Sequence, residues 1–283
     1  MTRRTCFLSL LGCSALLNAQ TQNSSDGDWV CPMDPDVRSV APGTCPRCGM
    51  KLVLHIPERT EYRLELSHSP DLLRPNVAAT LNFRIINPET NQPVNRFELV
   101  HEKLMHVFLV SQDLEYFAHV HPTFERDCFR LDVRLPLSGM YRVLADYYPA
   151  GSVPQLSVDT FFVAGPSRPA HLKADLKPCR SENLTATLAT DPAQPVAGLE
   201  TKLIFTLDPG EGLQPYLGAW GHMLAASEDL IDLLHVHPFL ADGKSKAQFN
   251  VIFPRACTYR IWTQFQRNGK VNTVVFTLPV TSL

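Results

Sequence analysis

HVFLVSQDLEYFAHVHP, residues 106 to 122, and HMLAASEDLIDLLHVHP, residues 222 to 238, are two copies of one segment set 116 positions apart. The likeness extends in both directions. LELSHSPDLLRPNVAATLNFRIINPETNQPV (64 to 94) lines up with ATLATDPAQPVAGLETKLIFTLDPGEGLQPY (186 onward) at an offset of 122, so that Pro70 falls on Pro192, Phe83 on Phe205, and Gln92-Pro93 on Gln214-Pro215. Beyond the histidine segment, LPLSGMYR (135 to 142) meets FPRACTYR (253 to 260) at an offset of 118. The offset drifts by only a few residues, as loop insertions would make it. Two homologous domains follow, residues 60 to 165 and 178 to 283, joined by a proline-containing linker at 166 to 177.

The local pattern of both copies is strand. AATLNFRI, MHVFLV, FRLDVRL, YRVLADY, KLIFTL, YRIWTQF and NTVVFTL are short, rich in β-branched and aromatic residues, and separated by Pro, Gly, Asn and Asp turns. No window holds an i, i+3, i+4 apolar stripe over three turns, and the 23 prolines in 283 residues suit strands and turns better than long helices. About seven strands in about 105 residues predict an immunoglobulin-like β-sandwich for each copy, hence a mainly β chain. The recurring Tyr141-Arg142 and Tyr259-Arg260 read as the tyrosine of a sandwich corner.

Six of the ten histidines repeat one spacing. His106 stands 13 residues before His119 and 15 before His121, and His222 stands likewise before His235 and His237. Residues i and i+2 of a strand share a face. If each pair of strands closes as a hairpin about Ser111-Gln112-Asp113 or Ser227-Glu228-Asp229, three imidazoles converge in each copy. Such a triad suits Cu(II) or Zn²⁺ with a fourth position open. Structural hydrogen bonding and catalytic use are the competing roles. Copy one carries His101, Glu102 and Met105 nearby, where copy two has Leu217 at the place of His101 and Gly221 at that of Met105, so copy one is expected to be the stronger site. Met223 should face away from its triad.

A different ligand set precedes the repeats. WVCPMDPDVRSVAPGTCPRCGMKLV (29 to 53) has the pattern C-x13-C-x2-C, with Cys31, Cys45 and Cys48 followed by Gly49. A Cys-x-x-Cys turn ending in glycine points two thiolates at one ion, and Cys31 supplies a third. Asp34, Met33, Met50 or water could complete the set. A disulfide is the alternative, with one cysteine left odd. The string CPMDPDVRSVAPGTCPRCGMKL resembles the small heavy-metal-binding domain of bacterial copper and silver efflux adaptors, some copper-transporting ATPases and stand-alone exported proteins. The match runs through Cys31, Pro32, Met33, Pro35, Pro42, Gly43, Cys45, Pro46, Cys48, Gly49, Met50 and Leu52. Asp34 stands where that family usually has His, a harder ligand that suits Zn²⁺ better than Cu(I). The resemblance implies a metal-binding module at 29 to 56, with a metal efflux system as partner. The duplicated region resembles exported bacterial proteins with His-Val-His-Pro or His-Leu-His-Pro segments, which implies metal handling by association and names no reaction.

Residues 1 to 19 read as an export signal, with Arg3-Arg4 ahead of an apolar stretch from Cys6 to Leu17, and residues 20 to 28 as a polar linker. Cleavage after Ala19, acylation at Cys13 of Leu10-Leu11-Gly12-Cys13, and a twin-arginine route are all compatible with it. The expected location is periplasmic or secreted, with membrane attachment only if Cys13 is lipidated. A net charge of −2 and the absence of a basic run leave no footprint for nucleic acid. Neither a phosphate loop, a Gly-x-Ser-x-Gly elbow nor a His-Glu-x-x-His helix is present. The sequence therefore reads as an exported metal-binding protein for copper or zinc, not an enzyme. A three-His copper oxidoreductase and an efflux-pump adaptor are the alternatives.

Overall fold

A computed structural model describes residues 29 to 55 and 60 to 283; the expected export signal and linker at 1 to 28 lie outside the described residues. Every regular element among the described residues is a strand. The cysteine module holds β1 (Trp29–Val30) and β2 (Arg38–Ser39). Copy one contains β3 (Arg63–Ser69), β4 (Ala78–Ile86), β5 (Phe97–Glu98), β6 (Met105–Ser111), β7 (Phe117–Val120), β8 (Thr123–Glu125), β9 (Cys128–Arg134), β10 (Gly139–Pro149) and β11 (Gln155–Val163). Copy two contains β12 (Cys179–Arg180), β13 (Thr185–Asp191), β14 (Glu200–Asp208), β15 (Leu213–Gln214), β16 (His222–Ser227), β17 (Leu233–Val236), β18 (Leu240–Ala241), β19 (Lys246–Ile252), β20 (Thr258–Arg267) and β21 (Lys270–Pro279).

Each copy is an antiparallel sandwich. In copy one the sheet β3-β4-β9-β8 faces the sheet β11-β10-β6-β7; in copy two β12-β13-β14-β19-β18 faces β21-β20-β16-β17. The fold is thus two tandem immunoglobulin-like β-sandwiches behind a small cysteine-rich module. Alternation fills each core: Leu81, Phe83, Val107, Leu109, Val143 and Phe161 point inward in copy one, and Leu203, Phe205, Phe249, Ile261, Phe265 and Phe276 in copy two. Both expected corners form. Tyr141 Oη donates to the carbonyl of Leu137 at 3.0 Å, and Tyr259 Oη to that of Arg255 at 3.1 Å.

One pair of strands breaks the in-out alternation. Every residue of β6 and of β16 is buried, because the face turned away from each core is covered by the other copy. Phe108, Val110 and Leu144 of copy one pack against Leu224, Ala226 and Trp262 of copy two, with Leu114 and Leu230 of the two hairpin turns in the same cluster. The rings of Phe117 and Trp262 stack across the boundary, centroids 5.0 Å apart and 8° from parallel. The two copies are therefore joined back to back through their histidine-bearing sheets.

The cysteine module sits over one end of this joint. Its thiols share a small apolar cluster with Val100 and Tyr148 of copy one, and the Arg47 guanidinium lies over the Phe239 ring of copy two. Gly49 has φ of +73°, and a side chain there would come within 3.2 Å of the Gly218 carbonyl of copy two. Only glycine meets both demands.

Truncating Trp262 tests the joint. Trp262→Ala should lower the stability of the whole chain by about 3 to 5 kcal/mol, measured by denaturant unfolding. An unchanged midpoint would contradict a packed interface.

Candidate metal centres

In the cysteine module the chain is folded around sulfur. The Gly49 N–H donates to the Cys45 carbonyl at 2.9 Å, closing the Cys-x-x-Cys turn, and the Asp34 N–H points at Cys31 Sγ from 3.2 Å. Cys31 and Cys48 sulfurs stand 3.4 Å apart, and Asp34 Oδ2 lies 3.5 Å from Cys45 Sγ and 3.9 Å from Cys31 Sγ. All three thiols are buried and free, with no disulfide among them. Four donor atoms, one each from Cys31, Asp34, Cys45 and Cys48, lie within 4.8 Å of one another. Met50 is buried in the apolar cluster under the site with Leu52, Val100 and Tyr148.

Crowding divides the protons unequally. Hydrogen bonds from Cys31 and Cys48 pull the Cys45 thiol far down. Its hydrogen bond with Cys45 raises Cys31 to about 11, and hydrogen bonds with Cys31 and Cys45 push Cys48 up as well. Burial raises the Asp34 carboxyl against the pull of the Arg47 guanidinium 3.7 Å away. An entering cation would displace the protons held on Cys31 and Cys48. Arg47, invisible as a motif, anchors Asp34 from outside the ligand set.

The histidine triads follow from strand register. The β6–β7 hairpin pairs Phe108 with His119, and β16–β17 pairs Leu224 with His235. Two residues along, the same register sets His106 against His121 and His222 against His237, all on the sheet face that meets the other copy. The turn is built the same way twice: Ser111 Oγ donates to Asp113 Oδ1 at 2.5 Å, and Ser227 Oγ to Asp229 Oδ1 at 2.7 Å. In copy one His106 Nδ1 lies 2.8 Å from His119 Nε2 and 3.1 Å from His121 Nε2. In copy two His237 Nε2 lies 3.1 Å from His222 Nδ1. One ring nitrogen from each of the three histidines lies within 4.8 Å of the others in both triads.

The opposite ring nitrogens decide what those inner atoms are. His106 Nε2–H donates to the Val100 carbonyl at 2.8 Å, and His222 Nε2–H to the Tyr216 carbonyl at 2.8 Å. Both carbonyls belong to tight turns whose left-handed residues match, His101 and Glu102 in one copy and Leu217 and Gly218 in the other. His119 Nδ1–H donates to Gln264 Oε1 at 2.7 Å, and His235 Nδ1–H to Asp146 Oδ2 at 3.0 Å. An acceptor on the outer nitrogen fixes the proton there and leaves the inner nitrogen with a lone pair. The fixed inner lone pairs of His106 Nδ1 and His119 Nε2, 2.8 Å apart, cannot hydrogen bond to each other. Their convergence is what a cation requires.

Each second acceptor comes from the other copy. Gln264 is on β20 and serves His119; Asp146 is on β10 and serves His235. The two positions are equivalent at the offset of 118 that aligns the tyrosine corners. Sequence reasoning missed both residues, because nothing in the repeat indicates that the copies exchange partners. Their equivalence was the available signal.

The triads also touch. The His119 and His222 ring centroids are 5.5 Å apart and those of His106 and His222 5.8 Å. His101 turns toward copy two, 3.8 Å from the His237 ring and 5.8 Å from the His106 ring, against the expectation that it would strengthen copy one. Met105 points into the copy-one core, Met223 into that of copy two, and Glu102 is exposed. A cleft of about 390 Å³ runs between the thiol site and this cluster, lined by Asp34 and Arg47 on one side and His235, His237 and Phe239 on the other.

Burial favours the neutral form of six of these imidazoles. It pushes His106 down to about 4, His101 and His121 to about 3 and His119 to about 2, with His222 and His237 also well below the ordinary range.

Residues 57–162 and 173–282 each match the model of a Domain of unknown function (DUF8832). The chain belongs to the DUF8832 family. Ahead of its two DUF8832 units, residues 29–55 match the Heavy metal binding domain, so the cysteine module is of that type. Over 28 residues this DUF8832 chain is 57% identical to the silver exporting P-type ATPase of Salmonella typhimurium, which is 10% of this chain and 3% of the ATPase. The chain thus spans only a small fraction of that relative's length. Solved structures similar to it include the Escherichia coli adhesin FdeC, at a TM-score of 0.26 and 13% identity over 82% of this chain and 68% of the adhesin. A two-domain fibronectin type III segment of chicken tenascin gives a TM-score of 0.23 and 10% identity over 77% of this chain and 99% of the segment.

The depressed histidines set a pH dependence for the metal-free protein. Unfolded imidazoles bind protons below about 6.5, whereas the buried ones stay neutral until about 4 or lower. Between those limits the unfolded chain binds more protons, so stability falls as pH falls, by up to ~1.4 kcal/mol per pH unit for each such histidine. Thermal unfolding of the chelated full chain should show a steep loss of Tm from pH 6.5 to 5. A flat profile over that window would contradict buried neutral triads.

Proposed function

We propose that this protein is an exported heavy-metal-binding protein that takes up copper or zinc for sequestration, delivery or support of efflux, the ion being its cargo. The observation that carries the reading is the 2.8 Å approach of His106 Nδ1 and His119 Nε2, both left with lone pairs because their outer nitrogens donate to the Val100 carbonyl and the Gln264 amide oxygen. A packing motif has no need of that arrangement. Cys31, Cys45, Cys48 and Asp34 would hold one ion in a soft, three-thiol site; His106, His119 and His121, and His222, His235 and His237, would hold others. All-imidazole sites suit Cu(II) or Zn²⁺, and the carboxylate of Asp34 favours Zn²⁺ over Cu(I) at the thiol site. The leader-like residues 1 to 19 support a periplasmic or secreted location. The short likeness to a silver exporting ATPase supports an efflux system as partner. The cleft shared by Asp34, His235 and His237 gives ions a short way between the two chemistries.

A second reading draws on the closeness of the triads. Two three-imidazole sites side by side could place two copper ions together for redox chemistry. Copper-loaded protein that consumes a reductant under air, and loses this in His106→Ala, would favour it.

Equilibrium dialysis of the mature full chain against Zn²⁺ and Cu(II) tests the proposal. Three ions per chain are expected. Replacing Cys31, Cys45 and Cys48 together with Ser should remove one, and His106→Ala another. No bound metal under any condition would overturn the reading.

A further inference from the structure

The two histidine sites are built from equivalent parts with one chemical difference. The outer nitrogen of His119 is held by the neutral amide oxygen of Gln264, and that of His235 by the carboxylate of Asp146. Gln264 cannot easily turn away, since its amide nitrogen is committed to Thr273 Oγ1 at 3.1 Å. Asp146 and His235 side chains are each 1% exposed, so the carboxylate has no water to screen it.

We propose that the histidine centre is an unequal pair: the copy-two triad of His222, His235 and His237, with Asp146 behind it and His101 beside it, is the tight site, and the copy-one triad, with Gln264 behind it, is the weak one. This rests on the reading that the triads bind metal. Three observations support the ranking. A carboxylate on the outer nitrogen makes the imidazole a stronger donor and cancels one unit of the ion's charge inside a dry joint, whereas an amide only orients its ring. Next, the polar atoms of this centre that lack a protein partner among the described residues gather at copy two: Asp146 Oδ1, His235 Nε2 and both nitrogens of His101. Buried donors and acceptors left single are costly, and a cation held by His235 would relieve part of that cost where copy one has no such deficit. Third, His101 adopts a left-handed backbone, φ +45°, that places its ring against His237 and 5.3 Å from His222. It adds a buried imidazole from the neighbouring sandwich beside the three nitrogens that converge.

The nearness of the triads sharpens the inequality. With His119 and His222 rings 5.5 Å apart in a buried joint, two cations would repel each other through little screening. The first ion goes where the anion is, and the second binds against the field of the first. Asp146 acts here as a positioning residue that reaches the ion through His235.

The test uses the full chain with Cys31, Cys45 and Cys48 replaced by Ser, so that only histidine sites respond, and Zn²⁺ titrated against a chromophoric chelator. Two ions are expected, with dissociation constants at least tenfold apart. Asp146→Asn should weaken the tight class by about 10 to 100-fold. Gln264→Glu should tighten the weak class, a gain that damage to the fold would not produce. His235→Ala should abolish the tight class and His119→Ala the weak one. Two equal sites, an Asp146→Asn variant with unchanged constants, or loss of the tight class in His119→Ala would overturn the ranking while leaving metal binding intact. Failure of the thiol-free chain to bind any Zn²⁺ would instead overturn the reading on which the ranking rests.

Discussion

A buried neutral imidazole carries one N–H that needs an acceptor and one lone pair that needs something to hold. The joint between the two sandwiches is organised by that requirement. Back-to-back packing of β6 and β10 on β16 and β20 removes water from both faces of the histidine-bearing strands. The N–H groups placed there have only the protein's own oxygens to donate to. Turn carbonyls at Val100 and Tyr216 take two of them, and Gln264 and Asp146, reaching across the joint, take two more. With those four protons committed outward, the lone pairs of His106, His119, His222 and His235 turn inward. The same act of burial that joins the copies therefore creates the two ligand sets, and neither sandwich alone could complete them.

The cysteine module follows different rules. Its three sulfurs are brought together by local turns, not by the sheets, and its charge is set by hydrogen bonds among the thiols themselves. Soft and borderline ligand sets thus stand side by side in one chain, with Asp34 on one wall of a shared cleft and His235 and His237 on the other. Arg47 ties the two together, holding Asp34 on the module while lying over Phe239 of copy two.

Much of this was legible in sequence for physical reasons. The duplicated His-x-His spacing and its turn fixed the hairpin register, because period-two geometry allows only one face for His119 and His121. Strand alternation gave the sandwiches, and the Cys-x-x-Cys-Gly turn gave the thiol site. What escaped was contact between copies. The consecutive apolar residues Val107-Phe108-Leu109-Val110 signal a strand buried on both faces but do not say what covers the second face. For the same reason His101 was assigned to its own copy, when its left-handed turn carries it to the other. Asp146 sits in YRVLADYYP as one acidic residue among apolar neighbours, and only the joint reveals that it faces His235.

X-ray absorption at the zinc edge tests the central claim most directly, using the full chain with its three module cysteines replaced by Ser and loaded with one equivalent of Zn²⁺. The account predicts a first shell of nitrogen at about 2.0 Å, with the outer-shell multiple scattering of at least three imidazoles and no sulfur. A first shell of oxygen without imidazole scattering would contradict it.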